Sequence, residues 1–496
     1  MNQNKYKSLE EYFIWFVLLL CAIFIVKSLG FTMIDDGWRH WAMASMPNEV
    51  ESWGRVFNNS LFTDYDPWFM WHKFLGICGE LFGDKNIYWI VNSISYFLLS
   101  LWYYLALTKF SNLNKFLIVF ISIFLPILST RYLNLRPETL SGFFVLYTIL
   151  FSSNIAIFMV SIIYAPFYYV YWFFMGYVGY IKLITKEYKA MFIVGVALIF
   201  GTAFHLYYDA DGFIHILKLV LSNDELRGAF SVGESYPTLF SLAVVNKFGS
   251  STVLIFLILI SLLMYILFKP QNTFLKYTIL FLPLMLIQKR FYYILEPILL
   301  AWFITFGYKL YFEILSGNIN QVLLKIKTFL EERTLFGSIG VKAYHGILLF
   351  FIAIIFLASY VSNKQTSEYV AKEFKYLDFI ESDEFKGKKI FLPNMSYDMQ
   401  MMLYKNPSAS YFPSCALGWV NFDEEFKKKN LNLLMSKDIS TEDFFKIIKM
   451  TDSDFIIITP NAKNKNINLD TKNLEENGYA FYKIINGYVI FKKVNA

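Results

Sequence analysis

Apolar stretches, many of them long enough to cross a lipid hydrocarbon core, recur along this chain up to residue 362. In lipid every backbone N–H and C=O must find its partner inside the protein, so such stretches can only be helices packed as a bundle. The runs fall near 12–29, 87–108, 115–130, 139–153, 155–165, 167–184, 190–205, 251–268, 275–288, 291–311 and 346–362. They predict about eleven transmembrane helices, with Pro166 separating the closely spaced pair at 155–184. Composition agrees: 56% of residues are hydrophobic and only 17% charged, against about a quarter charged in soluble domains. A net charge of +6 with no basic stripe excludes nucleic acid as a partner and fits basic residues anchoring membrane edges. Three cysteines without metal-like spacing point to neither a zinc site nor a disulfide framework.

The opening MNQNKYK is short and basic, and no small-residue cleavage site follows the first apolar run, so that run is expected to stay as a helix. Lys109 and Lys115, Lys182 through Lys189, Lys269 and Lys276, and Lys325 through Arg333 all fall on the N-terminal side of the expected bundle. By the bias of basic residues this side is cytoplasmic, and an odd helix count puts the C-terminal part outside. The connection at 312–345 reads as an amphipathic helix lying on the cytoplasmic surface. Loops 31–86 and 205–250 are too long to be turns. After 362 the pattern changes: KKIFLP and SDFIIIT read as buried strands, TEDFFKIIKM as an amphipathic helix, and the last fifteen or so residues as a hairpin turning at Asn486-Gly487. The expected organisation is a transmembrane domain over 1–362 and an external α/β domain over 363–496.

Residues with chemistry concentrate in the first long loop. Ile34-Asp35-Asp36-Gly37-Trp38-Arg39-His40-Trp41 puts two adjacent carboxylates at a membrane edge. Either Asp can cap the helix that follows, accepting its free N–H groups, or face a reaction cavity as a base. Further on, Asp64-Tyr65-Asp66-Pro67-Trp68 and Trp71-His72-Lys73 interleave acidic and aromatic side chains, as sugar-binding surfaces do. An aromatic belt at the headgroups would look the same. Two other segments offer cations at helix ends: Thr130-Arg131-Tyr132-Leu133-Asn134-Leu135-Arg136-Pro137-Glu138 and Gln288-Lys289-Arg290-Phe291-Tyr292. Such residues clamp a phosphate or snorkel to headgroups, and Arg136 with Glu138 can pair internally. His205, Asp209, Asp211 and His215 have oxygen and imidazole atoms of the kind that bind a divalent cation, but their spacing matches no established site, and none is assigned.

The run IDDGW…GRVFNN…DYDPWFMW, followed by LNLRPETLSG at 133–142, resembles membrane glycosyltransferases of the GT-C class, most of all the polyprenyl-phosphate-dependent arabinofuranosyltransferases. The resemblance covers roughly residues 30–145; this chain is shorter than those enzymes, and its C-terminal part does not look like their jelly roll. It implies a GT-C-like fold and an inverting transfer of a sugar such as arabinofuranose from a polyprenyl-phosphate donor to a hydroxyl on a glycan, lipid or protein. It implies Asp35 or Asp36 as base, with a slight preference for Asp35. Arg131, Arg136, Lys289, Arg290 and Tyr292 would hold the donor phosphate and lipid; Arg39, His40, Asp66, Trp68, His72 and Glu138 would face sugar or acceptor. The implied place is the inner membrane, with the site on its periplasmic face. A transporter or flippase of lipid-linked saccharides would share the polytopic, aromatic-rich pattern, but would favour internal repeats and broken central helices, and no repeat is visible. A non-catalytic scaffold is the third reading; unchanged activity on replacing Asp35 and Asp36 would select either of these over the enzyme.

Overall fold

A computed structural model of the chain describes residues 2–32, 37–44, 68–151, 153–168, 171–221, 277, 280, 292–316, 340–392, 397–412, 442, 445, 448–449, 452–460 and 471–494. In chain order the helices are α1 (Asn2–Leu29), α2 (Gly37–Ala44), α3 (Phe69–Phe82), α4 (Ile87–Phe110), α5 (Lys115–Phe124), α6 (Glu138–Leu150), α7 (Asn154–Tyr164), α8 (Tyr171–Ile184), α9 (Tyr188–Leu221), α10 (Tyr292–Ser316) and α11 (Gly340–Tyr376). Four described helices are long and apolar enough to cross a membrane: Leu9–Leu29, Asp84–Phe110, Tyr188–Ile214 and Leu348–Tyr376. Lys115–Leu128, Glu138–Leu150, Asn154–Phe167 and Glu296–Thr305 are shorter apolar helices. Large apolar side chains stand on the outside of these helices, among them Phe24 at 74% and Phe192 at 68% exposure. Water would penalise that surface; hydrocarbon does not. The expected crossings at 251–268 and 275–288 lie outside the described residues, apart from Tyr277 and Leu280, and the connection at 312–345 is described only where it belongs to α10 and α11.

Hydrogen bonds sort the helix ends into two sets. At one end Lys115 pairs with Glu10 at 2.8 Å and Glu11 at 3.1 Å, and the Tyr104 hydroxyl donates to Glu11 at 2.6 Å. Lys109 Nζ donates to the Leu150 carbonyl there (2.7 Å), and Asn114 Nδ2 lies 3.5 Å from His345 Nδ1. At the other end Lys364 Nζ donates to the Ser28 carbonyl (3.0 Å), and the Thr32 N–H donates to the Tyr88 hydroxyl (3.0 Å). So α1, α5 and α11 run one way and α4 and α6 the other. The loop between α5 and α6, the described parts of 30–87, and the exit of α11 therefore share one end, which we call the loop end.

Two expected boundaries move. The crossing near 190–205 does not give way to a loop at 205: α9 continues to Leu221 with a kink at Asp209 (φ −160°, ψ 99°). Asp209 Oδ1 accepts from the Gly212 N–H at 2.9 Å and so restarts the helix beyond the kink. Likewise α11 does not stop at 362. It continues to Tyr376, because a helix leaving the hydrocarbon need not end there.

Beyond α11 the chain forms a five-stranded sheet: β1 (Lys389–Phe391), α12 (Tyr397–Lys405), β2 (Ser410–Phe412), β3 (Phe455–Ile458), α13 (Thr471–Glu476), β4 (Tyr479–Ile485) and β5 (Tyr488–Lys493), in the order β2-β1-β3-β5-β4. β1 pairs in parallel with both β2 and β3, and the β4–β5 hairpin joins β3 antiparallel. The parallel strands read as near-continuous apolar runs since both of their faces are covered. Ile390, Phe391, Ile456 and Ile457 are all 1% exposed or less. The hairpin turns at Asn486 (φ 52°) and Gly487 (φ 85°), the left-handed pair that a two-residue turn requires.

Candidate active site at the loop end of the bundle

Three segments meet at the loop end. The first is the loop from α5 to α6, which includes a 3₁₀ turn at Thr130–Leu133 carrying Arg131. Pro137 restricts the residue before it and marks where α6 begins. Between the turn and the proline, Leu135 adopts φ 52°, a left-handed conformation that a branched aliphatic residue avoids. Its surroundings hold it there: Trp71 Nε1 of α3 donates to the Leu135 carbonyl at 3.1 Å. Thr139 Oγ1 donates to the Arg136 carbonyl at 2.7 Å and closes the first turn of α6.

The second segment is the start of α10. Its Tyr293 hydroxyl donates to the Glu138 carbonyl (3.0 Å), and its Tyr293 carbonyl accepts from the Tyr132 hydroxyl (3.3 Å). The Arg131 guanidinium sits 5.8 Å from the Tyr293 ring centre. Tyr132 packs against α6 where Gly142 leaves room; a Cβ there would overlap its phenol ring.

The third segment is the α2–α3 pair. The Arg39 guanidinium lies 5.0 Å over the Trp68 ring, and His40 meets Trp68 edge-on at 5.2 Å. His40 Nδ1 and His72 Nε2 are hydrogen-bonded at 2.8 Å. Burial first, then the charges of Arg39, His72 and Arg136, hold the His40 imidazole well below its ordinary value. His40 is thus held neutral, and of the two ring nitrogens that meet one donates and the other accepts. That Arg136 acts on His40 ties the α5–α6 loop electrically to α2.

These contacts gather Arg39, His40, Trp68, His72, Arg131, Arg136 and Glu138 at the loop end. Arg39, Arg131 and Arg136 are 3%, 6% and 9% exposed, and Arg136 Nη2 lies 3.5 Å from Glu138 Oε1. Taking three guanidinium groups this far out of water carries a desolvation cost that exposed arginines do not have. Asp35, Asp36, Asp66, Lys289 and Arg290 lie outside the described residues, as does the side chain of Tyr292. The anchors of the Asp segment are described. Before it, Gly30 (φ 85°) and Thr32 are tied to the Tyr88 hydroxyl, and after it comes α2. His205, considered with Asp209 and Asp211 for a cation, is instead stacked between Tyr171 and Phe213, both at 5.1 Å. Its Nε2 is 3.1 Å from the Ala165 carbonyl, while Asp211 is exposed. Among the described residues no three metal-ligating side chains come together.

Sequence reasoning passed over Tyr293, Tyr132 and Trp71 as site residues. Tyr293 follows Tyr292 directly, and the only signal is its place one turn before Glu296-Pro297, shortly after the Lys289-Arg290 pair in the sequence. Leu135 falls within LNLRPETLSG, but nothing in the sequence marks its left-handed backbone.

No family model matches the chain, and no curated protein sequence matches it. Solved structures do. ArnT from Cupriavidus metallidurans bound to undecaprenyl phosphate is similar with a TM-score of 0.53 at 9% identity, over 99% of each chain. The apo structure of ArnT from the same organism gives 0.52 at 11% identity, over 98% of each chain. At such identity the likeness speaks for the fold alone. Together with the apolar helices it gives a multi-pass membrane protein whose fold is similar to that of ArnT along its whole length.

Proposed function

We propose that this chain is an inverting glycosyltransferase that moves a sugar from a polyprenyl-phosphate donor to an acceptor hydroxyl at the loop end of the bundle. The observation that carries the reading is the convergence of three buried arginines at a membrane edge, in a fold whose solved neighbour is bound to undecaprenyl phosphate. Lys289, Arg290 and Tyr292, from the segment leading into α10, are proposed to add to the same phosphate clamp. The loop end is proposed to be periplasmic, since Lys109, Lys115 and Lys182 sit toward the opposite end of their helices, with the C-terminal sheet on the same outer face.

The chemistry asks little of the protein. The acceptor oxygen attacks the anomeric carbon, and the carbon–oxygen bond to phosphate breaks with its electron pair leaving on the phosphate. Asp35 or Asp36 takes the acceptor proton as the new bond forms. The arginines meet the charge that grows on the departing phosphate, a stabilisation that no water could match in this buried place. Arg39, His40, Asp66, Trp68, His72 and Glu138 are proposed to orient sugar and acceptor. A metal is not required when the leaving group is already a phosphate.

The test is transfer, in lipid, from a panel of polyprenyl-phosphate sugars that includes arabinofuranose. Release of free polyprenyl phosphate, lost by about 10²–10⁴-fold in Asp35→Asn or Asp36→Asn while the protein still folds, supports the reading. The companion Asp should act as a helix cap, costing about 1 kcal/mol of stability and little turnover. Near-normal turnover in both variants would end the catalytic reading, and donor that binds without being consumed would favour a transporter.

A further inference from the structure

We propose that α12 of the C-terminal unit is a clamp on α2, and that Tyr404 is a positioning residue for the transfer reaction. The proposal rests on the glycosyltransferase reading, and names a device that reading does not need.

The geometry begins with the two sides of α2. Its eight residues put Trp38 and Trp41 on one side and Arg39 and His40 toward the other, because residues three apart in a helix share a face and residues two apart oppose. Arg39 and His40 are engaged with Trp68 and His72, inside the candidate site. Trp38 and Trp41 have near-parallel rings with centres 5.5 Å apart and face the C-terminal unit instead. Trp38 stacks on Phe374 of α11 at 5.0 Å with planes 16° apart, and Trp41 meets the Tyr404 ring of α12 at 4.4 Å. Tyr404 also touches Trp38 (5.5 Å) and Phe374 (5.9 Å), so it closes the aromatic group from above.

The clamp is itself locked. Next to Tyr404, the Lys405 side chain is 4% exposed, donates to Asp378 at 2.6 Å and Glu381 at 2.9 Å, and lies 4.0 Å from the Phe374 ring centre. This fixes α12 to the end of α11. On the far side the Trp41 indole N–H donates to the Asp84 carbonyl at 3.0 Å, which ties α2 to the start of α4. So α2 is held between the bundle and the sheet-bearing unit, and the four residues before it, 33–36, include the Asp pair. A shift of α2 by a fraction of a ring width would move Arg39 and His40 relative to Arg136, which is held by another element. Misplacement of about 1 Å in a reacting group can cost about 10²-fold in rate.

The experiment compares wild type, Tyr404→Ala, Tyr404→Leu and Tyr404→Phe as full-length protein in lipid, by hydrogen exchange and by donor turnover. Expected for Ala and Leu is faster exchange at 37–44 with strands 455–458 and 479–493 unchanged. Their turnover should fall by about 10²-fold, with the KM for donor unaltered because Arg131 and Arg136 stay in place. Tyr404→Phe keeps the ring and should match wild type on both counts. Exchange that rises across all strands in the Ala variant means unfolding, and the bulkier Leu variant then decides. Unchanged exchange at 37–44 in an active protein, or a Phe variant as damaged as Ala, overturns the clamp. Absence of transfer by wild type from every donor, with 37–44 still loosened in the Ala and Leu variants, brings down the function reading and leaves the clamp standing.

Discussion

Charged side chains are treated differently in the C-terminal unit and at the loop end of the bundle. In the C-terminal unit, Lys405 apart, they pair where water reaches them: Asp452 with Lys389 at 3.4 Å and Lys493 at 2.7 Å, Lys386 with Asp383 at 2.6 Å, Glu384 with Lys483. At the loop end Arg39, Arg131 and Arg136 are nearly inaccessible and lie against aromatic rings or, in the case of Arg136, an acid 3.5 Å away. Surface pairs hold a fold loosely and are worth at most about 1 kcal/mol each. A buried guanidinium carries a desolvation cost that a surface pair does not, so the two regions differ in how much charge they hold out of water, and the proposed phosphate clamp draws on the buried set.

The sharpest way to break this contrast is Arg136→Ala. Transfer should fall by about 10²–10³-fold, the scale for losing one donor aimed at developing charge. Its thermal midpoint should also fall, because Glu138 loses its 3.5 Å partner, but by less than the turnover loss corresponds to. A turnover loss matched by an equal fall in stability would show Arg136 to be structural instead. Next comes Gly142→Ala, which forces the Tyr132 ring off α6. Overpacking of this kind costs about 1–3 kcal/mol. It should also slow transfer, since Tyr132 holds Tyr293, and Tyr293 lies under Arg131. Stability and turnover measured on the same preparation separate the two effects.

Smaller effects come from proton linkage. His40 is held neutral, with a folded value below that of the unfolded chain, so the unfolded state binds more protons in the window beneath about pH 6.5. Stability therefore falls as pH drops through that window, and His40→Asn should flatten this limb of the thermal-midpoint profile. A profile identical in the variant would deny that His40 is held neutral by burial. The smallest change is expected from Asp452→Asn. Hydrogen bonds from Lys493 and then Lys389 lower its carboxyl, so its contribution is present above about pH 4 and lost as pH falls further. Removing it should cost less than about 1 kcal/mol and leave transfer untouched.

What the sequence made legible follows the range of the interactions involved. The run at 87–108 is α4 (Ile87–Phe110), the run at 155–165 is α7 (Asn154–Tyr164), and Asn486-Gly487 turns the last hairpin, because span length and turn chemistry are written within a few neighbouring residues. KKIFLP and DFIIIT do lie side by side as β1 and β3. The helix ends at 205 and 362 were misplaced because polarity marks where lipid stops, and a helix can go on in water. The site was legible in its residue types but not in its pairings. Arg39 on Trp68 and His40 on His72 join two helices across a long loop, and Trp41 on Tyr404 joins distant parts of the chain. No periodicity encodes such contacts.

Helix α11 has a mechanical consequence. Its 37 residues amount to a rod of about 55 Å, against about 30 Å of hydrocarbon. From Ile347 to Tyr376 it holds neither glycine nor proline, so it offers no ready hinge, and its far end carries Phe374 beneath Trp38. A rigid rod pivoting at its lower end by about 5° would sweep its tip through about 5 Å, and membrane helices answer changes in bilayer thickness by tilting. The thickness of the surrounding lipid thus has a direct lever arm onto the helix that holds Arg39 and His40.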